Sequence, residues 1–416
     1  MCRDMKDSGI EWMGEIPNQW HLDKLKNLYY FEKGKNASLY TQEYIGIHKG
    51  KYPVFSGQTE NNGIMGTIDT YDYEEDECLF TTTVGAKVMT PRIIKGKFSL
   101  SQNCLIMKSN NNSNNKFIYY MLNPLFEYEK SLIPTYMQPS LRVSDLRRYQ
   151  FYMPSINEQE RISNYLDKKV SQIDDIILKQ KSLIKKYKAY KQSLITETIT
   201  KGLNKNIPMK DSGIEWIGKI PCHWNLLKLK FMFTIKKEIA NKLGYDILSV
   251  TQSGLKVKDI SNNEGQISAD YSKYQLVDID DFVMNHMDLL TGFVDCSKFK
   301  GVTSPDYRVF KFIENNRNSK RYYNYIFQSC YKNKTFYGLG QGVSNLGRWR
   351  LQTDKFMNFV LPVCSLEEQK EIADFLDKKC TAIDSAIDKK EQLIEKLECY
   401  KKSLIYECVT GKKGVN

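Results

Sequence analysis

Residues 158–200 contain no proline and no glycine. Apolar residues there fall at alternating steps of four and three: Leu166, Val170, Ile173, Ile177, Ile184, Tyr187 and Leu194. That spacing predicts a long helix with one apolar seam. A second stretch repeats it with Leu376, Cys380, Ile383, Ile387, Ile394, Leu397 and Leu404. Both seams are interrupted by polar residues at matching places, Gln180/Lys390 and Lys191/Lys401; polar seam residues cost stability and fix register. Ser155 with Glu158, and Ser365 with Glu368, give each helix a capping-box start. Gly202 and Gly411 give each a stop. Each helix of ~40 residues would run ~60 Å. A lone seam needs a partner. The other copy, running antiparallel in the same chain, is one; helices of another protein are the alternative, and the two can coexist.

Elsewhere the pattern is mixed. Strand-like runs occur at 52–55, 64–68, 78–84 and 97–100, separated by turn residues. Others occur at 245–250, 281–284 and 307–310. Residues 116–129 read as a helix interrupted at Pro124, and residues 321–332 as its counterpart.

The chain is written twice. KDSGIEWMGEIP at 6–17 returns as KDSGIEWIGKIP at 210–221, and the register continues through Trp20/Trp224 and Leu25/Leu229. The helical block repeats Glu158-Gln159 as Glu368-Gln369 and Leu166-Asp167-Lys168-Lys169 as Leu376-Asp377-Lys378-Lys379. Residues 27–150 and 231–358 have similar lengths and no visible match. Uniform drift after duplication would erode the whole unit evenly. Conserved blocks beside divergent ones point to one frame carrying two interchangeable readers.

The 416 residues include 61 Lys plus Arg against 49 Asp plus Glu, for a net charge of +12. This permits a nucleic-acid or membrane-surface partner and fits a lysine-rich surface equally well. No apolar run reaches the ~18–20 residues of a membrane span, and the N-terminal segment lacks a signal-peptide core. A cytoplasmic protein is expected. Ten cysteines are scattered without a C-x-x-C pair, and the four histidines show no metal spacing. No metal site is expected.

Candidate chemistry lies in the polar loops. Gln and Asn can pair bidentately with adenine, Arg with guanine, and Lys or Arg can hold phosphates. The first region offers Gln58, Thr59, Asn61, Asn62, Lys87, Gln102, Asn103, Gln138 and Arg142. The second offers Thr251, Gln252, Lys256, Asn285, His286, Gln341, Asn345, Arg348 and Arg350. Any one of these, taken singly, reads better as a solvated loop or turn residue; the expectation concerns the sets. Enzyme motifs fail. LNPLF at 122–126 lacks the second proline of an amino-methyltransferase signature, GLGQG at 338–342 follows no βαβ strand, and no phosphate loop occurs. The acidic run at 74–77 reads as a solvated turn. No catalytic residue is expected.

The order of elements resembles the specificity subunit of type I DNA restriction–modification systems. The resemblance rests on the repeated DSGIEW(M/I)GxIP entry, the proline-to-Glu-Gln helix entries at 154–159 and 362–369, and the Leu-Asp-Lys-Lys segments. It implies an α+β fold: two mixed α/β target recognition domains joined by two long antiparallel helices in a coiled coil, with an internal pseudo-twofold repeat. The corresponding boundaries are 1–26 (entry element), 27–154 (first recognition domain), 155–203 (long helix), 204–230 (linker and second entry), 231–362 (second recognition domain) and 363–413 (second long helix). It also implies double-stranded DNA as ligand, read as a split asymmetric site whose half-sites lie about one helical turn (~34 Å) apart. Partners would be two methyltransferase subunits with S-adenosylmethionine, which methylate adenine, and motor-nuclease subunits with ATP and Mg2+. No cofactor is implied in this chain. A fused nuclease–methyltransferase partner and a non-DNA coiled-coil scaffold are the alternatives.

Overall fold

A computed structural model of the chain describes residues 3–58, 60–85, 87–110, 113–258, 271–314, 317–342 and 349–415. They form two compact units. The first comprises Met1–Gln180 and Glu391–Asn416, the second Lys181–Lys390. The two long helices, Ile156–Lys201 and Leu366–Val409, each contribute to both units.

The entry motif explains its own repetition. In the first unit it forms a hairpin of Met5–Asp7 with Glu15–Pro17. The Asp7 carboxylate accepts from the Gly9 amide at 3.0 Å, and the Ser8 hydroxyl accepts from the Ile10 amide at 3.1 Å. Gly9 and Gly14 both have φ +62, a conformation that side chains with a Cβ resist. The second unit repeats this at Asp211, Ser212, Gly213 and Gly218. The motif delivers a large ring to each core: Trp20 is 2% exposed and Trp224 is fully buried. Each entry then pairs a strand with the proline-bearing stretch before its long helix. His21–Lys24 pairs with Gln150–Met153, and Asn225–Lys228 with Val360–Val363.

In the first unit the variable region builds a six-stranded sheet. Its order is Tyr29–Lys33, Cys104–Ser109, Tyr73–Thr82, Arg92–Leu100, Lys49–Phe55 and Ile64–Ile68. All pairs are antiparallel except Lys49–Phe55 with Arg92–Leu100. The helix Asn115–Ser131 buries Phe117, Met121, Leu125 and Phe126. They join Trp20, Ile162, Leu166 and Leu404 in one core. In the second unit a four-stranded sheet runs Phe233–Lys236, Arg308–Phe312, Phe282–Met284, Val294–Cys296. The helix Lys320–Lys332 packs on it through a cluster of rings that includes Phe233, Phe282, Phe310 and Phe327.

Three local expectations need correction. The helix Asn115–Ser131 runs through Pro124 without a break. The face it buries outweighs one lost hydrogen bond; beside the proline, the Asn123 side-chain amide donates to the Tyr119 carbonyl at 2.7 Å. The acidic run 74–77 is part of the strand Tyr73–Thr82, not a turn. A register shift between Glu75 and Cys78 accommodates it, and Lys108 bridges Glu75 at 2.6 Å and Glu32 at 3.0 Å. The capping boxes are half boxes. Ser155 and Ser365 accept from the Glu158 and Glu368 amides, but the glutamate side chains turn to the entry elements. Glu158 meets Arg3 at 2.6 Å; Glu368 accepts from Trp224 Nε1 at 2.9 Å and lies 3.0 Å from His223 Nε2.

Along the long helices, Leu166, Ile173, Ile177, Ile184, Leu376, Cys380, Ile383, Ile387 and Leu404 are buried. Val170, Tyr187, Leu194, Ile394 and Leu397 are partly buried. Two of the interrupting lysines find carboxylates on the other long helix. In the first unit Lys401 meets Asp174 at 2.6 Å, and in the second Lys191 meets Asp384 at 2.6 Å. Gly202 and Gly411 end the helices at φ +72 and +74.

Candidate nucleic-acid interface

Hydrogen bonds between main-chain groups gather the polar turns of the first unit. The Ser101 amide bonds the Phe55 carbonyl at 2.9 Å, the Thr83 amide the Asn103 carbonyl at 2.8 Å, and the Leu141 amide the Thr83 carbonyl at 2.8 Å. The turns carrying Gln58 to Asn62, Lys87, Gln102 with Asn103, and Gln138 to Arg142 therefore form one group. Gln102, Asn103, Gln138 and Arg142 are exposed, and Lys87 is half-buried. Gln58 is bound to its own turn through the Ile64 carbonyl. Asn61, Asn62 and Asn103 have φ 47, 51 and 62. Their amide chemistry suits such turns, so these three have a conformational reason to be asparagine besides any ligand. Thr59 lies outside the described residues.

The second unit gathers its turns similarly. The Leu351 amide bonds the His286 carbonyl at 2.9 Å, and the Leu289 amide bonds the Trp349 carbonyl at 3.2 Å. Gln341 and Arg350 exchange amide–carbonyl bonds at 3.0 and 3.1 Å. Gln252 reaches the Thr291 carbonyl at 3.4 Å. Gln252, Lys256, Gln341 and Arg350 are exposed, whereas Thr251 and Asn285 are half-buried. Asn285 accepts from the Met287 amide at 3.2 Å. Asn345 and Arg348 lie outside the described residues.

His286 differs from the rest. It is buried, and its Nδ1 has no hydrogen-bond partner among the described residues. Burial, with Arg308 and Arg350 nearby, pushes its pKa down to about 3. It is therefore neutral at physiological pH and supplies no cation to a phosphate. The charge beneath these turns comes from Arg308, which sequence reading passed over as part of an apolar strand. Its buried guanidinium donates to the Leu351 carbonyl at 3.0 Å and to Thr353 Oγ1 at 3.3 Å, and lies 4.7 Å from the Phe356 ring centroid. Burial lowers its pKa to about 10, so it stays charged. An arginine inside an apolar run was the available signal. Arg92, also passed over, bonds the Asn62 carbonyl and props the turn at Gly63. Its position after a proline carried no signal.

Among the described residues, no group of three or more His, Cys, Asp or Glu is arranged to hold a metal ion. Among the same residues no helix is long and apolar enough to cross a membrane.

Comparison with known proteins agrees with this architecture. A family model described as the type I restriction modification DNA specificity domain matches residues 17–189 and again 223–398. The chain belongs to that family. A protein of Mycoplasma pneumoniae assigned as a type I specificity subunit is 32% identical over 171 residues, which is 40% of this chain and 44% of that one. The match thus spans under half the length of that relative. The type I restriction enzyme MjaVIII specificity subunit of Methanocaldococcus jannaschii is 24% identical over 422 residues, covering 95% of this chain and 93% of its own. A chain from a structural study of type I R-M complex assembly and conformational transition superposes with TM-score 0.68 at 9% identity, over 95% of this chain and 98% of that one. The HsdS subunit of Thermoanaerobacter tengcongensis gives 0.50 at 10% identity, over 98% and 100%. At such identities these two likenesses concern the fold.

Proposed function

We propose that this chain is the non-catalytic DNA-reading subunit of a type I restriction–modification complex. Each variable region, 27–154 and 231–362, reads one half of a split, asymmetric double-stranded site. Two methyltransferase subunits carrying S-adenosylmethionine methylate adenine there. Motor-nuclease subunits using ATP and Mg2+ cut unmodified DNA. The complex works in the cytoplasm.

One observation carries the reading: in each unit, amide- and cation-bearing turns from separate segments converge, and a duplicated frame holds them. Converging polar turns on a rigid support suit base-edge readout, while surrounding cations suit phosphates. The long helices, 155–203 and 363–413, are proposed to pair as an antiparallel coiled coil with an internal pseudo-twofold repeat. The Lys401–Asp174 and Lys191–Asp384 bridges support this, because each pairs the repeat-equivalent residues with the helices exchanged. A second stripe supports partner docking. Ile176, Leu183 and Tyr190 recur every seven residues and are exposed, as are Leu393 and Tyr400 in the other helix.

The test is replacement of residues 27–150 in the full chain by the matching region of another family member. One half-site should change and the other persist. Loss of all assembly would contradict modular reading.

A further inference from the structure

The two variable regions show no similarity when aligned in the register of the frame. The structure reveals a short one in a different register. The helix Asn115–Ser131 is capped by Asn114, whose side chain accepts from the Phe117 amide at 3.0 Å. The helix Lys320–Lys332 is capped by Ser319, whose hydroxyl accepts from the Tyr322 amide at 3.4 Å. Two residues after each cap stands a cation, Lys116 or Arg321. Four residues further stands a tyrosine, Tyr120 or Tyr325. These positions are 205 apart, whereas the helical frame repeats at 210, so the match is hidden unless each variable region is aligned on its own helix.

Each of these residues meets the same point of the frame. The Asn114 amide donates to Gln159 Oε1 at 3.0 Å, and the Ser319 amide to Gln369 Oε1 at 2.8 Å. The other end of each glutamine is also engaged: Gln159 Nε2 donates to the Pro154 carbonyl and Gln369 Nε2 to the Cys364 carbonyl, both at 3.0 Å. Both glutamines are buried, 3% and 1% exposed. Eight residues on, Asp167 accepts from Lys116 at 2.6 Å and Tyr120 at 2.9 Å. Asp377 accepts from Arg321 at 2.6 Å and Tyr325 at 2.8 Å. Arg321 also reaches Asp374 at 2.7 Å.

We infer that Gln-x7-Asp at the head of each long helix is a socket that sets the angle of the variable-region helix on the frame. The matching key is a capping residue, a cation two positions on and a tyrosine four beyond that. The glutamine grips a main-chain amide, which every residue but proline offers, so the grip is blind to the rest of the variable sequence. The aspartate then fixes rotation about the helix axis through two donors one turn apart. The ion pairs are half-exposed and contribute little alone; the buried glutamine and the tyrosine hydroxyl carry the joint. Gln159, Asp167, Gln369 and Asp377 are thus positioning residues, acting on DNA only through the helix they hold. A foreign variable region would fit this frame when its helix begins with that key.

This inference extends the DNA-reading proposal, so its test has one readout that needs no DNA. In the full chain, Gln369→Met keeps the shape of a buried side chain and removes both hydrogen bonds. Tyr325→Phe removes one hydroxyl and guards against a misfolded first variant. Amide hydrogen exchange should rise about tenfold or more in the first turns of Lys320–Lys332 and stay unchanged in Asn115–Ser131. Gln159→Met and Tyr120→Phe should reverse that pattern. Unchanged exchange in both variants of a pair would overturn the joint. The second readout is the methylated sequence produced with the partner methyltransferase: Gln369→Met should relax one half-site and Gln159→Met the other. Loosened exchange with both half-sites intact, or equally weakened, would overturn the positioning role. A wild-type chain that directs no methylation would count against the DNA reading, and the exchange result would still decide the joint.

Discussion

Lys191 on one long helix meets Asp384 on the other at 2.6 Å, and Lys401 meets Asp174 at the same distance. Both lysines occupy positions where the apolar seam calls for a hydrophobic side chain. Each trades burial for a bridge that forms in one register. The pairs are partly exposed, so each contributes under about 1 kcal/mol. Their proposed value lies in excluding other registers. Lys191→Leu with Lys401→Leu should raise the melting temperature by a few degrees and yield a mixture of oligomeric states by light scattering. A destabilised monomer would contradict this account.

Glycine at the repeated turns meets two different demands. At Gly9 an added Cβ would touch none of the described residues within 4 Å, so Gly9→Ala pays only for φ +62, about 1 kcal/mol. At Gly411 the same atom would lie 2.4 Å from Pro17 Cδ and 3.0 Å from Trp20, at φ +74. Gly411→Ala should therefore cost more, about 2 kcal/mol or above. Chemical denaturation of the two variants checks the order.

His286 should make the protein acid-sensitive. Its folded pKa, near 3, lies below the ordinary 6.5. As pH falls through 6.5 the unfolded chain takes up a proton that the folded chain refuses. Stability is therefore lost between about pH 6.5 and 3, with a slope of one proton, and is unaffected by this group above that window. His286→Phe should flatten the acid limb by one proton in urea titrations at successive pH values.

Asn103 separates conformation from recognition. Its φ of 62 is easily met by glycine. Asn103→Gly should leave stability within ~0.5 kcal/mol. If the amide reads a base, affinity for the cognate site should fall by ~1–3 kcal/mol with little change on unrelated DNA. Competition binding at fixed salt measures both.

The exposed stripe makes a complementary prediction. Leu183→Glu and Leu393→Glu alter residues that are 37% and 41% exposed. The melting temperature should barely move, whereas co-purification with the proposed methyltransferase partner should fall.

The frame was legible because its geometry admits few residue types. Gly9 and Gly213 need a left-handed backbone, Trp20 and Trp224 fill cores, and the seam residues recur at fixed steps. The variable regions were less so. Many strands of the second region have three or four residues, too short for alternation to register; the run at 281–284 was legible only by its apolar residues, and Phe282–Met284 is buried throughout. Pro124 looked like a break because the buried face that carries the helix past it is a tertiary fact. The acidic run at 74–77 looked like a turn because its partner Lys108 lies on a strand far along the chain. Within the candidate interface, loops could be chosen by their amides, but single residues could not. Gln58 and Asn62 are engaged by Ile64 and Arg92, contacts visible only once the chain folds.

Methylation mapping shows whether the two variable regions read one split site. The chain would be co-expressed with the proposed partner methyltransferase in a methylation-free host, and modified adenines located by sequencing. A split motif with a fixed unspecified gap is expected, one half-site for each variable region. A continuous motif, or no methylation from a methyltransferase that is bound and active with another specificity subunit, would contradict it.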